Sequence, residues 1–195
     1  PTVTTPTVAT IHDLKYLSHP GFFPQMSAIK RLAMRYMMTF TVHRARQVIT
    51  VSEYTRQDLA QRLNVPLNRM RAIPHGVDER YSLAIPPETV KMVRQRYRLA
   101  ENYILFVGER RPHKNIPGLL RAFKLLTNPK SFAFQSFGFE PYQLVIAGKS
   151  YADYQEPERL AEELSLSDSV RFLDYVPDAD MPALYRGASA FALLS

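Results

Sequence analysis

The chain has no cysteine and no tryptophan. Without cysteine there is no disulfide framework, no thiolate nucleophile and no cysteine-ligated zinc, and the redox compartment stays open, with cytoplasm the default. Glycine is scarce, seven residues against fifteen prolines, which argues against fibrous repeats. No apolar run approaches the roughly 20 residues that span a bilayer, and Pro1 to Thr10 lacks the basic start and apolar stretch of a signal peptide. The expectation is a soluble chain. It begins without methionine and stops in the apolar run Ala188 to Leu194, so both ends look cut. Acidic residues are outnumbered: 18 Asp and Glu against 25 Lys and Arg give a net charge of +7, which points to an anionic partner. Nucleic acid, a phosphorylated substrate and anionic lipid all satisfy that.

What is present is an ordinary globular composition, 46% hydrophobic and 22% charged, over 195 residues, enough for one full domain or parts of two. Thr7 to Ile11 reads as a short buried strand that ends at His12-Asp13. From Ser27 to about Arg46, the residues Ile29, Leu32, Ala33, Tyr36, Met37 and Phe40 recur at helical spacing, with Lys30, Arg31, Arg35 and Arg46 elsewhere on the surface. Val48 to Val51 is a strand, and Ser52 is placed to cap a helix from Glu53 to Leu63. Met70 to Ile73 is a third strand, running into the turn Pro74-His75-Gly76-Val77-Asp78. A polar, proline-bearing stretch leads to a basic helix, Glu88 to Tyr97. The pattern then restarts with the continuous apolar strand Tyr103 to Val107 and a helix from Asn115 to about Leu126. Gln143–Ala147, Pro157–Leu164, Val170–Leu173, Pro182–Gly187 and Ala190–Leu194 continue strand, helix, strand, helix, strand. Such alternation implies parallel strands with right-handed helical crossovers. The insert Thr127 to Pro141, with Phe132, Phe134, Phe137 and Phe139, is a surface loop or a contact to something beyond this chain.

Ligands of doubly wound sheets sit beyond the carboxyl ends of the strands. The strongest local signal there is Gly108 to Asn115: a buried strand ends at glycine, Arg110, Arg111 and Lys114 follow, and Asn115 is set to cap the next helix. Unpaired amides at a helix start beside cations suit a phosphate or diphosphate; a solvated basic loop is the alternative. Neither the Walker spacing nor a G-x-G-x-x-G fingerprint occurs. His12 at a strand end suits a hydrogen bond to a sugar hydroxyl or developing charge, with Asp13 orienting the ring or bonding a backbone amide; a simple turn explains the pair as well. His75-Gly76 carries the same two readings. The histidines show no metal-ligand spacing, so no metal is expected. The basic helix 27–46, with Met34 and Met38 nearby, is either a contact to anionic lipid or an acidic acceptor, or merely solvated. Dispersed cations and the absence of a helix-turn-helix or aromatic strand signature argue against nucleic acid.

Taken in order, Thr10-Ile11-His12-Asp13-Leu14, Val51-Ser52-Glu53-Tyr54-Thr55 with Asp58-Leu59, Ile73-Pro74-His75-Gly76-Val77-Asp78, Phe106-Val107-Gly108 with Pro112-His113-Lys114-Asn115, Leu144 to Gly148, Val170 to Leu173 and Met181 to Tyr185 resemble the retaining glycosyltransferases of family four, also called group one. The resemblance implies an α/β fold of GT-B type: two Rossmann-like doubly wound parallel-sheet domains, both incomplete here. Residues 1–80 would be the C-terminal part of the acceptor-side domain, 81–100 a linker with the basic helix, and 101–195 a truncated nucleotide-sugar-binding domain. It further implies a nucleotide-sugar donor, GDP-mannose or a UDP-sugar, with mannose favoured over glucose, and a saccharide or lipid-linked acceptor entering across an interdomain cleft. Transfer would retain the anomeric configuration, without metal or other cofactor, in the cytoplasm or peripheral to the membrane face. His12 and Asp13 would be catalytic, and His12 would approach the transferred sugar. Gly108, Arg110, Arg111 and Lys114 would hold the diphosphate, and Gly148, Tyr175 and Val176 the nucleotide. Many members carry arginine directly after the glycine matching Gly108; here Glu109 stands there and is expected to point outward. The family's acidic loop and helix would follow Ser195, so the piece alone is expected to be inactive. A nucleic-acid-binding or nonenzymatic module using the basic surface is the competing reading.

Overall fold

The computed structural model describes residues 5–23, 26–82, 84–128, 130 and 142–194. The phenylalanines of the 127–141 insert lie outside the described residues. The chain divides into two compact units, Pro1–Val77 and Asp78–Ser195.

In the first unit β1 (Val8–Ile11), β2 (Gln47–Thr50) and β3 (Met70–Ala72) form a parallel sheet in that order. A short helix, α1 (Lys15–Ser18), follows β1. The helix α2 (Ala28–Arg44) joins β1 to β2, and α3 (Glu53–Leu63) joins β2 to β3. Ser52 caps α3 as expected: its hydroxyl accepts from the Thr55 amide at 3.1 Å. The core gathers Leu14, Val42, Ala45, Val48, Leu59, Leu63, Val65 and Met70. Two sequence expectations fail here. β1 is not a buried strand, because it forms an edge of the sheet and Val8 is 62% exposed. Nor does the apolar stripe Ile29, Leu32, Tyr36, Met37 and Phe40 face the core. α2 docks on the sheet through Val42 and Met38, on its other side, and leaves the stripe exposed.

In the second unit α4 (Pro87–Tyr97) precedes a parallel sheet of β4 (Tyr103–Val107), β5 (Gln143–Ala147), β6 (Val170–Leu173) and β7 (Ala190–Phe191), in spatial order β6-β5-β4-β7. Connecting helices are α5 (Ile116–Thr127), α6 (Glu156–Glu163) and α7 (Met181–Gly187). β7 stops at Phe191 rather than running to Leu194. Side chains alternate across a strand, so β4 feeds two cores. Phe106 packs with Ile116, Leu120 and Phe123 of α5 and Leu144 and Ile146 of β5. Tyr103 and Leu105 pack with Val93 of α4 and Ala183 and Leu184 of α7 on the other face. Each fully buried apolar side chain contributes about 1.5–3 kcal/mol. α4 is tied to α7 by Asp180, whose carboxylate accepts from Tyr97 Oη at 2.6 Å and Arg96 Nη1 at 2.6 and 2.7 Å.

Asn115 also departs from expectation. It stands at the start of α5 but in left-handed conformation, φ 49°, and makes no capping hydrogen bond with its side chain. The side chain instead lies over Gly118, where a methyl group would come within 2.7 Å of Asn115 Oδ1.

Candidate functional site

The carboxyl ends of β4, β5 and β6 are drawn together by their backbones. The Gly108 amide donates to Ala147 O at 2.9 Å, and the Gly148 amide reaches Leu173 O and Asp174 O, each at 3.0 Å. Gly148 sits at φ +141°, and a Cβ there would fall 2.0 Å from Gly108 O, so only glycine fits. Over this seam runs Lys114. It ends the 3-10 turn Pro112–Lys114 just ahead of α5, and its Cε lies 4.0 Å from where a Cβ of Gly108 would stand. A half-buried lysine side chain thus lies against the end of β4 beside the start of α5, whose first turn offers the Ile116 and Gly118 amides and, at Pro117, none. Point charge and helix dipole act together on any anion held there.

Next to the seam is a cavity of about 210 Å³, floored by Val107, Ala147 and Gly148 and walled by Lys149, Tyr175, Val176 and Met181, with Tyr81 and Asp178 at its rim. Val176 is buried, whereas Tyr175 is 77% exposed. The volume is below the roughly 300–1,000 Å³ of whole ligand pockets, so it suits one portion of a larger ligand.

The two arginines expected at the phosphate are engaged with carboxylates. Arg110 is 3% exposed, ion-paired with Asp174 and with Glu158 at 3.4 Å, and stacked 5.5 Å over the Phe172 ring. Its amide donates to Lys149 O at 3.0 Å, and Ser150 Oγ donates to the same Asp174 at 3.0 Å. Arg110 therefore braces three strand-end loops against one another. Arg111 pairs with Asp153 at 3.3 Å and lies 3.3 Å over the ring of Tyr151, which also has Lys149 Nζ at 5.1 Å from its centre. The Tyr151 hydroxyl donates to Glu109 Oε1 at 2.9 Å, and Glu109 points outward. Within the second unit, Gly108, Lys114, Gly148, Tyr175 and Val176 gather at one edge. Arg110 lies beneath that edge, and Arg111 beside it.

In the first unit His12 and Asp13 follow β1, and both are exposed. Asp13 bonds a backbone amide, that of Lys15 at 3.2 Å, and pairs with Lys15 Nζ at 3.4 Å. The His12 ring stacks on His75, 5.5 Å between centres and 20° between planes, so β1 and β3 present two imidazoles at the same edge of the sheet. Thr55 Oγ1 donates to His12 O at 3.4 Å and fixes the backbone beneath. No cluster of three metal-ligating side chains occurs among the described residues.

Comparison with known proteins matches residues 90–195 to a family described as glycosyl transferases group 1, and residues 4–81 to Glycosyltransferase Family 4. The chain belongs to the group 1 glycosyltransferases. The O-antigen chain mannosyltransferase B of Escherichia coli is 30% identical over 190 residues, covering 94% of this chain and 45% of that protein. The O-antigen chain mannosyltransferase RfbU of Salmonella typhimurium is 25% identical over 186 residues, with 95% and 44% covered. The chain thus spans less than half the length of the relatives it matches. In fold it resembles the Anabaena protein Alr3699/HepE, solved with UDP and glucose, at a TM-score of 0.73, 19% identity and coverage of 97% of this chain and 46% of that one. WaaG, a glycosyltransferase involved in lipopolysaccharide biosynthesis, gives a TM-score of 0.64 at 20% identity, covering 94% and 49%. The architecture is GT-B.

Three features of this strand-end edge escaped the sequence. Tyr81 lies in what reads as linker, yet it reaches the cavity rim and meets Tyr185 edge-on at 5.7 Å. The Arg111–Tyr151–Lys149 stack joins loops 40 residues apart, and no local pattern announces it. The burial of Arg110 was equally hidden, since its partner Glu158 sits on a later helix.

Proposed function

We propose that this chain is the donor-binding and partial acceptor-side portion of a mannosyltransferase that uses GDP-mannose, retains the anomeric configuration and elongates a saccharide or lipid-linked saccharide at the cytoplasmic membrane face. The observation that carries the reading is Lys114 lying against Gly108 at the end of β4, at the same strand-end edge as the cavity lined by Gly148 and Val176. As the glycosidic bond breaks, negative charge grows on the leaving diphosphate. A cation and helix amides already aimed there stabilise it without reorganising, which lowers the barrier. The cavity by Tyr175 and Val176 takes the nucleobase, and His12 serves the transferred sugar. The mannosyltransferase relatives favour mannose as the sugar.

Calorimetry with GDP, GDP-mannose, UDP and UDP-glucose tests the assignment. Saturable binding that prefers the guanine ligands is expected, weakened about 10- to 100-fold in Lys114→Ala, the size of a lost charge-assisted hydrogen bond. Preference for UDP-glucose would replace mannose by glucose. Salt-sensitive oligonucleotide binding without nucleotide binding would overturn the enzyme reading.

A further inference from the structure

A larger cavity, of about 630 Å³, opens in the second unit at the opposite end of the sheet from Lys114. Glu101 and Gly187, which line it, stand just ahead of β4 and β7, and the Ser189 amide ties the same end by donating to Tyr103 O at 2.9 Å. The cavity therefore lies at the amino ends of the strands, whereas the edge bearing Lys114 lies at their carboxyl ends. Its volume is that of a whole small-molecule pocket. Val90 and Leu99 give it an apolar wall, and three cations converge on it, Lys91 and Arg94 of α4 and Arg186 of α7, against the single carboxylate of Glu101. Arg94 is already set in place: Nη2 donates to Gly187 O at 3.0 Å, and the guanidinium lies 5.9 Å from the centre of the Tyr103 ring. Its Nε is shut off from water and has no hydrogen-bond partner among the described residues. Arg96, Arg110 and Arg111 of the same unit each hold a carboxylate. No described carboxylate, Glu101 included, forms an ion pair with Lys91, Arg94 or Arg186. Three unneutralised cations around one hollow repel each other, and an anion between them removes that cost.

We propose that this cavity binds a phosphate monoester carrying an apolar body. The dianion sits among Lys91, Arg94 and Arg186, where each contact is a charge-assisted hydrogen bond and the fixed guanidinium offers a planar fork. The organic part covers Val90 and Leu99. Other ligands fit less well. Inorganic phosphate would leave the apolar wall bare, and a nucleic acid needs cations strung along an open surface rather than gathered at one hollow. The site is separate from the one at the carboxyl ends. α7 forms part of both walls, with its first residue, Met181, at the smaller cavity and its last, Gly187, at this one, about 9 Å further along the helix axis. The inference goes beyond the glycosyltransfer reading and does not rest on it.

Calorimetric titration with phenyl phosphate and with inorganic phosphate tests the site, on this chain and on a longer polypeptide containing it, each with and without GDP. Saturable binding of phenyl phosphate is expected, at least about fivefold tighter than that of inorganic phosphate and unchanged by GDP. Lys91→Ala and Arg186→Ala should each weaken it about tenfold; both side chains are exposed, so the dichroism spectrum should not change. Glu101→Gln, which removes the carboxylate at the rim, should tighten it about two- to fivefold. Lys114→Ala should leave it within about twofold, because that lysine stands at the other end of the strands. Four results overturn the proposal: no saturable binding of phenyl phosphate; equal affinity for inorganic phosphate; loss of binding in Lys114→Ala with none in Lys91→Ala and Arg186→Ala, which would put the probe at the carboxyl ends; or binding by this chain that disappears in the longer polypeptide, which would mean that the protein fills the cavity itself. GDP binding is read in the same titrations, so failure of the donor assignment and failure of this site are told apart.

Discussion

α2 and α5 are both apolar-rich helices carrying cations, and they behave in opposite ways. α5 buries Ile116, Pro117, Leu119, Leu120 and Phe123 within 12 residues, whereas Val42 is the buried residue of the 17 in α2. The difference lies in what each helix rests on. α5 covers β4 and β5, strands with neighbours on both sides, and shares its core with α6. α2 covers a three-stranded sheet that ends at the exposed β1, and touches it by a narrow ridge. Periodicity reveals that a helix has an apolar face; which side meets the sheet depends on the strands beneath it.

That contrast should break first under core truncation. Leu120→Ala is expected to destabilise the second unit by about 2–5 kcal/mol, while Leu32→Ala changes stability by less than about 0.5 kcal/mol. Denaturant unfolding of the two variants measures both, and equal losses would show that α2 is packed after all. Gly148→Ala comes next. Strain at φ +141° alone costs about 1–3 kcal/mol, and contact with Gly108 O adds to it. Both melting temperature and nucleotide affinity should fall, because the same backbone seam underlies Lys114.

How much of this was legible beforehand follows the range of the interactions. β4, β5 and β6 were readable to the residue, because each is a mostly apolar run, broken only by Gln143 at the start of β5 and Arg171 in β6, and is closed by glycine or aspartate. Ser52 was readable too, since capping is decided within four residues. The edge position of β1, the left-handed turn at Asn115 and the pairing of Arg110 were not. Each depends on partners brought in by the fold: a neighbouring strand, the small residue Gly118, or Glu158 and Asp174, 48 and 64 residues further along. Basic residues near a predicted phosphate site look alike in sequence, and burial separates Lys114 from Arg110.

A milder effect tests that separation. Asp174→Asn removes one carboxylate from the Arg110 brace while Glu158 remains, so the fold should survive. The loops bearing Lys149 and Tyr175 lose a tie worth about 1 kcal/mol. Nucleoside diphosphate binding is expected to weaken about fivefold, whereas Asp153→Asn, at the exposed Arg111 pair, should leave it within about twofold. If the two variants weaken binding alike, Arg110 holds the edge no more firmly than Arg111 does.

The smallest expected effects are those of pH on the second unit's two helix ties. Burial pushes the Asp180 carboxyl up, but hydrogen bonds from Tyr97 and Arg96 outweigh it and leave the group below its ordinary value. A depressed carboxylate stabilises the fold above its unfolded value, near 4, and that stability is lost as pH falls through the lower folded value. Tyr103 acts at the other limit. Burial pushes its phenol up to about 12, so its contribution is complete below about 10 and is lost as pH rises toward 12. Asp180→Asn should therefore flatten the acid limb of a stability–pH curve, with a smaller change in the alkaline limb because Asp180 also raises the Tyr97 phenol, whereas Tyr103→Phe should flatten the alkaline limb and leave the acid limb unchanged. An acid limb flattened by Tyr103→Phe, or left unchanged by Asp180→Asn, would mean that α4 and β4 are held to α7 by something other than these two bonds, Tyr97 to Asp180 and Tyr103 to Leu184 O.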